Sequence, residues 1–551
     1  MPPLSAHGIR GAFVTGSYRW GNATLPDIPF CDAVMYHLHV RGFTMGRNSG
    51  VRQKGTFAGL RQKIPYLKSL GVNQVKLMPV YDFPEIEAPV APSGSPKSQA
   101  EAMAHALDPQ SGVQPFRRNF WGYGTGFYFA PKASYAATER ADVEFKDMIK
   151  AFHAAGIEVL LEFSFHAGAD IGMICDCLSY WASEYHIDGF SLVGRENLAD
   201  ELARLPLFCS RKLICSWYSE DTVSANAEET HYQIAQSNNG FMNDCRQLLK
   251  GDANYLEAFS WRMRQNPSGC AQINYMTNHD GFTLLDLVSY NMKHNEQNGE
   301  MGRDGSASDF SWNCGEEGPS GKRGIARLRM RQRKNACAMM LLSQGTPMLM
   351  AGDEFGNSQN GNNNPWCHDS ELTWLDWNHT KAGRELTEFV RRLIAYRKEH
   401  RVLRQNMQLQ CTDYLSSGYP DLSFHGERAW YGDLGQSNLH MGCMYSGHYA
   451  GEEGFLYIAW NFHWEEQQLA LPLIPDSYSW FCVMDTSLTE SFPPSCRQRN
   501  LGNSRAFSVT PRTVVILEGK KDDTDGTAKQ EEKPESDKTA KTDEPGHMEE
   551  S

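Results

Sequence analysis

The chain has 551 residues, a length that predicts two to four domains, and its 40% hydrophobic and 11% aromatic content suffices for a sizeable buried core. A formal net charge of -13 excludes a nucleic-acid partner held by phosphate contacts, and no cluster of Lys and Arg marks a membrane surface. No stretch approaches the apolar length of a membrane span. The 14 cysteines are scattered and contain no C-x-x-C, so neither a metal nor another cofactor is expected. The first twenty residues lack the basic and apolar regions of a signal peptide. A cytoplasmic protein with reduced, mostly buried thiols is therefore expected.

In chain order, residues 1–30 read as a short N-terminal extension. From 31 to 400 short apolar runs alternate with amphipathic helical patterns. Residues 33–40 read as a strand. Residues 57–70 read as a helix, with Leu60, Ile64, Leu67 and Leu70 on one face and Gly71 as its stop. Strands are expected at 74–80, 157–163, 187–193, 212–215, 272–276 and 347–351, with a helix at 142–155 ended by Gly156. Repeated strand–helix units over this length predict an α/β fold, a (β/α)8 TIM barrel with long loops. From 401 to 518 the pattern changes to short strands at 455–460, 480–484 and 513–517, which predict a C-terminal antiparallel β-sandwich domain. Residues 519–551 hold no aromatic side chain and almost nothing apolar, so a disordered acidic tail is expected.

Several strings carry a specific resemblance. HVRGF (39–43), NFWGY (119–123), YMTNHDGFTL (275–284), LVSYNMKHNEQNGE (287–300), RDG (303–305), SWNCG (311–315), SQGTPMLMAGDEFGNSQ (343–359), GNNN (361–364) and WLDW (374–377) stand in order along the chain. Together they resemble the isoamylase and glycogen-debranching branch of the α-amylase superfamily, over about residues 31 to 518. The resemblance implies a retaining glycosidase. In such an enzyme one carboxylate attacks the anomeric carbon and a protonated carboxyl serves the leaving oxygen, the two lying about 5–5.5 Å apart. A third carboxylate stabilises the transition state.

This sequence departs from that pattern where the chemistry sits. The fourth-strand pattern D-G-F-R-F-D, ending in the nucleophile, is here Asp188-Gly189-Phe190-Ser191-Leu192-Val193. Val193 stands at the nucleophile position and Ser191 at the supporting Arg. The fifth strand places Ser216 where the acid Glu belongs, within a register of one residue. Neither Val nor Ser offers an ionisable carboxyl group. The third-strand pattern D-V-V-Y-N-H is here Glu162-Phe163-Ser164-Phe165-His166-Ala167, without its sugar-binding His. Only Asn278-His279-Asp280 is intact. The resemblance makes Asp280 the surviving transition-state stabiliser and His279 a sugar-hydroxyl ligand, or else both residues only cap a strand and hold a loop.

Just 25 residues separate Glu162 from Asp188, where related debranching enzymes carry several dozen more as a cleft wall. Glu196 and Glu220 are the nearest substitute carboxylates, both expected on loops at the active end of the barrel. Each is displaced by several residues, which rarely reproduces a catalytic geometry. Trp121 and Tyr123 are the expected sugar-binding aromatics, with packing as the alternative for Trp121. NGNNNPW (360–366) reads either as a donor of hydrogen bonds to glucan hydroxyls or as a turn satisfying its own backbone.

The resemblance thus implies an isoamylase-like homologue of α-glucan (glycogen or starch) metabolism. It is expected to be catalytically inactive and to serve as a glucan-binding or regulatory subunit beside an active debranching-enzyme homologue. Two alternatives stay open: an active α-1,6-glucan hydrolase with relocated carboxylates, and a structural partner without glycan affinity.

Overall fold

A computed structural model describes residues 17–87, 117–195, 197–229 and 233–522. Eight parallel strands close into a barrel: β1 Met35–Leu38, β2 Gln74–Leu77, β3 Glu158–Ser164, β4 Gly189–Val193, β5 Lys212–Cys215, β6 Ile234–Ser237, β7 Ala271–Asn274 and β8 Thr346–Met350. Each pairs with the next, and β8 returns to β1. β3 reads Glu-Val-Leu-Leu-Glu-Phe-Ser and is buried over its first six residues, as expected for a strand covered on both faces. Inside the barrel Met35, Leu160, Ile214, Ala235, Ile273, Tyr275 and Met348 pack as one apolar cluster. A larger cluster lies between the strands and the surrounding helices, among them Ala141–Ala154, Ile171–Glu184 and Lys381–Glu399.

The remaining strands are antiparallel. β9 Leu422–His425, β10 His440–Ser446, β11 Phe455–Asn461, β13 Tyr478–Asp485, β14 Arg499–Gly502 and β16 Thr513–Lys521 form a six-stranded sheet in the order β9-β10-β11-β16-β13-β14. β12 Gln467–Ala470 and β15 Ala506–Val509 form a separate pair. The expected architecture, a (β/α)8 barrel with an additional antiparallel β-rich part, is the one observed.

Four local expectations need correction. The first strand stops at Leu38, because His39 caps the helix Val40–Met45, its Nδ1 accepting from the Gly42 amide at 3.0 Å. The helix expected over 57–70 is two helices, Phe57–Arg61 and Ile64–Leu70. Pro65 lies in the first turn of the second helix, where its missing N–H is tolerated, and its ring would clash with the preceding turn of a continuous helix. β6 was not foreseen, since Ile234 and Ala235 are its only apolar residues. β16 runs to Lys521, pairing Gly519 with Trp480 and Lys521 with Tyr478, so the strand reaches three residues into the expected tail. The rest of the expected acidic tail, from 523, lies outside the described residues, as do residues 1–16 of the N-terminal extension. Its remainder packs against the barrel's N-terminal end: Trp20 stacks on His186 at 3.9 Å and the Ile28 amide donates to Glu158.

Candidate active site

The C-terminal ends of the barrel strands open into a cavity of about 790 Å³. Loops at this end build the active sites of such barrels. The cavity brings together six of the eight residues singled out from sequence: Val193, Ser216, Asp280, His279, Tyr123 and Trp121. Glu220 is not among its lining residues. It is exposed and opens the helix Glu220–Glu229, rather than lying on a loop over the barrel mouth. Its place in the first helical turn is a favourable one for a carboxylate. Glu196 lies outside the described residues.

Strand register explains where the two altered positions fall. β3 and β4 pair Glu162 with Ser191 and Ser164 with Val193, so Val193 is the last residue of β4. It is 41% exposed, a large apolar side chain facing solvent at the cavity wall. Gly194 follows at φ +102°, and a Cβ there would lie 2.3 Å from the Phe165 carbonyl oxygen, so the turn out of β4 requires glycine. Ser216 comes directly after β5 and is exposed, with Trp217 beside it at 55% exposure. At these two positions the wall presents a methyl pair and a hydroxyl, with an indole beside them.

Among the other lining residues the aromatic side chains form a stack. Tyr123 lies parallel to His279 at 5.0 Å between ring centroids, and Trp121 meets His279 edge-on at 4.8 Å. His279 donates from Nδ1 to the Asn278 side-chain oxygen at 3.1 Å. Burial pushes its pKa down to about 3, so the ring is neutral. Asp280 opens onto the cavity. Desolvation raises its pKa, and the nearby charge of Glu162 adds to the effect.

The third-strand pattern names Glu162 only as an altered Asp, and its partners His37 and Lys76 are the part of the site that sequence reasoning missed. Glu162 Oε2 accepts from the Tyr123 hydroxyl at 2.9 Å and from His37 Nε2 at 3.1 Å. Lys76 Nζ stands 3.7 Å from Oε1, and both side chains of this pair are about 5% exposed or less. Burial works against the charge on Glu162, but Lys76 and His37 together outweigh it and hold the carboxyl well below the usual range. The available signal was a charged or imidazole side chain inside each of three buried strands, His37 in β1, Lys76 in β2 and Glu162 in β3. Such groups require partners.

The asparagine loop is tied by its side chains to the segment 298–309. Asn363 donates to Asp309 at 2.6 Å, Asn362 to Asn298 at 2.7 Å and Asn364 to Asp304 at 3.0 Å. Asn364 and Trp366 still border the cavity. The connection after β3 is short: six residues lie between Ser164 and the helix Ile171–Glu184.

Comparison with known proteins places this site in a family. The sequence is 30% identical to the chloroplastic isoamylase 3 of Oryza sativa subsp. japonica, over 92% of this chain and 71% of that one. It is 33% identical to the glycogen operon protein GlgX homologue of Mycobacterium tuberculosis, over 73% of this chain and 63% of the relative, so the match spans less than two thirds of the mycobacterial protein. No protein-family model matches the sequence. Among solved structures, the fold is similar to the type I pullulanase of Bacillus subtilis complexed with maltose, at a TM-score of 0.66, 19% identity and coverage of 92% and 72%. A pullulanase of Paenibacillus barengoltzii complexed with maltohexaose and α-cyclodextrin gives 0.62, 20% identity and coverage of 91% and 79%. The chain belongs to the isoamylase and GlgX glycogen-debranching family of glycoside hydrolases, within the α-amylase superfamily.

Proposed function

We propose that this protein binds an α-glucan without hydrolysing it and acts as a binding or regulatory subunit beside an active debranching homologue. The observation that carries the reading is the cavity wall itself, where β4 ends in Val193 and β5 leads into Ser216. Without carboxyl groups at these points, neither attack on the anomeric carbon nor protonation of the leaving oxygen has its usual agent. Binding has better support. Trp121, Tyr123, Trp217 and Trp366 border the same cavity, and flat aromatic faces suit the C–H surfaces of sugar rings. Trp217 is the strongest platform, because its indole is more than half exposed.

One observation favours a second reading. Asp280 and Glu162 share the cavity, the first with a raised and the second with a lowered pKa, which is the pattern of an acid and base pair. A relocated hydrolase would run on these two residues and not on Glu220. Against it, Glu162 is held by Tyr123, His37 and Lys76 and has little freedom to reach a sugar.

Affinity electrophoresis in gels containing glycogen or amylopectin tests the binding reading. Retarded migration that weakens in Trp217→Ala supports it. Unchanged migration favours a structural partner without glycan affinity.

A further inference from the structure

Three side chains able to ligate a metal meet from separate parts of the chain, and two of them, Glu162 and His279, line the cavity. His37 comes from β1, Glu162 from β3 and His279 from the turn after β7, and one donor atom of each lies within 4.8 Å of the others. Two imidazoles and one carboxylate are the donor set of a three-ligand zinc site that keeps its fourth position open. Each donor is already in the form a metal needs. Desolvation keeps both imidazoles neutral, and Glu162 is ionised.

The hydrogen bonds orient the donors. Asn278 accepts from His279 Nδ1, which fixes the tautomer and leaves Nε2 with its lone pair. His37 Nε2 now donates a proton to Glu162 Oε2, and this leaves His37 Nδ1 buried without a hydrogen-bond partner. An ion between Nε2 and Oε2 takes the place of that proton, which moves to Nδ1 with the number of protons unchanged. Asn278 orients the His279 ring. Lys76 opposes a cation here, but its closest approach is to Oε1, the other carboxylate oxygen, at 3.7 Å. Its charge weakens the site without blocking it.

We propose that His37, Glu162 and His279 bind one zinc-type divalent cation, with its remaining coordination position facing the cavity. This does not rest on the glucan reading, since the probe is the metal alone.

The full chain is titrated with Co2+, whose visible absorption reports both geometry and ligand type. The expected result is one equivalent of Co2+ giving tetrahedral bands without a sulfur-to-cobalt charge-transfer band, displaced by Zn2+. His37 and Glu162 sit in the barrel interior, where substitution can unfold the protein. His279→Gln and Asn278→Ala therefore carry the test, with melting curves to verify folding. His279→Gln should abolish the bands, and Asn278→Ala should weaken binding about 10-fold, the usual scale for a partner behind a metal ligand. Absence of bands at millimolar Co2+, bands that survive His279→Gln, affinity unchanged in Asn278→Ala, or a thiolate charge-transfer band would each overturn the assignment.

Discussion

Glu158 and Glu162 stand four residues apart on β3, on the same face of the strand, and each is paired with a buried lysine at one end of the barrel. At the N-terminal end Lys212 Nζ reaches both oxygens of Glu158, at 2.6 and 2.8 Å, while Gln74 and the Ile28 amide fill the remaining acceptor positions. At the C-terminal end Lys76 keeps 3.7 Å from Glu162, and the closer partners are Tyr123 and His37. Glu162, Lys76 and Tyr123 all border the cavity. The same ion pair serves two ends differently. The lower carboxylate has its acceptor positions filled by hydrogen bonds from the scaffold, and the upper one keeps its charge at the surface of a site.

The largest effect is expected from breaking the closed pair. Glu158→Gln strands Lys212 in the barrel, and losing one partner of such a pair costs about 3–5 kcal/mol. Chemical denaturation should show this loss. Glu162→Gln should cost less, about 2 kcal/mol, the scale of hydrogen bonds to a charged group, because the open cavity lets water reach Lys76. The pH dependence separates the two ends further. A carboxyl whose folded pKa is depressed contributes stability above its unfolded pKa of about 4.3 and loses it as pH falls through the lower folded value. The stability gap between wild type and Glu162→Gln should therefore close on acidification.

His279 gives the next effect. Its folded pKa is depressed from 6.5 to about 3, so the unfolded chain takes up a proton first as pH falls. Its contribution is present above pH 6.5 and is lost toward pH 3, at a slope of up to about 1.4 kcal/mol per pH unit. His279→Gln should flatten that part of the acid limb in a stability–pH series. The smallest effect is confined to the surface of the site. Trp217→Ala should lower glucan affinity about fivefold, near 1 kcal/mol for an aromatic platform, with no change in melting temperature.

The same contrast explains what the sequence made legible. Seven barrel strands could be read because each carries an apolar run, and β6 could not because its second half is Gln236 and Ser237. Val193 and Ser216 were placed at strand ends by the family pattern, Ser216 within one residue, and both line the cavity. The contacts of Glu162 were not legible, since they join it to His37 on β1 and to Tyr123 on a loop, 125 and 39 positions away, which only the closed barrel brings together. Glu220 was misplaced for a related reason. Its distance along the chain from Ser216 is small, but the chain turns into a helix there and carries it away from the cavity.

The measurement that tests the central claim most directly is reducing-end release from a branched α-glucan limit dextrin. It compares the purified wild type, the Val193→Asp/Ser216→Glu double variant and an active debranching enzyme as control. No release is predicted from the wild type. None above background is predicted from the double variant either, because the clamped Glu162 and the six-residue connection after β3 remain. Release by the wild type that scales with protein and disappears in Asp280→Asn would contradict the account and establish a working hydrolase.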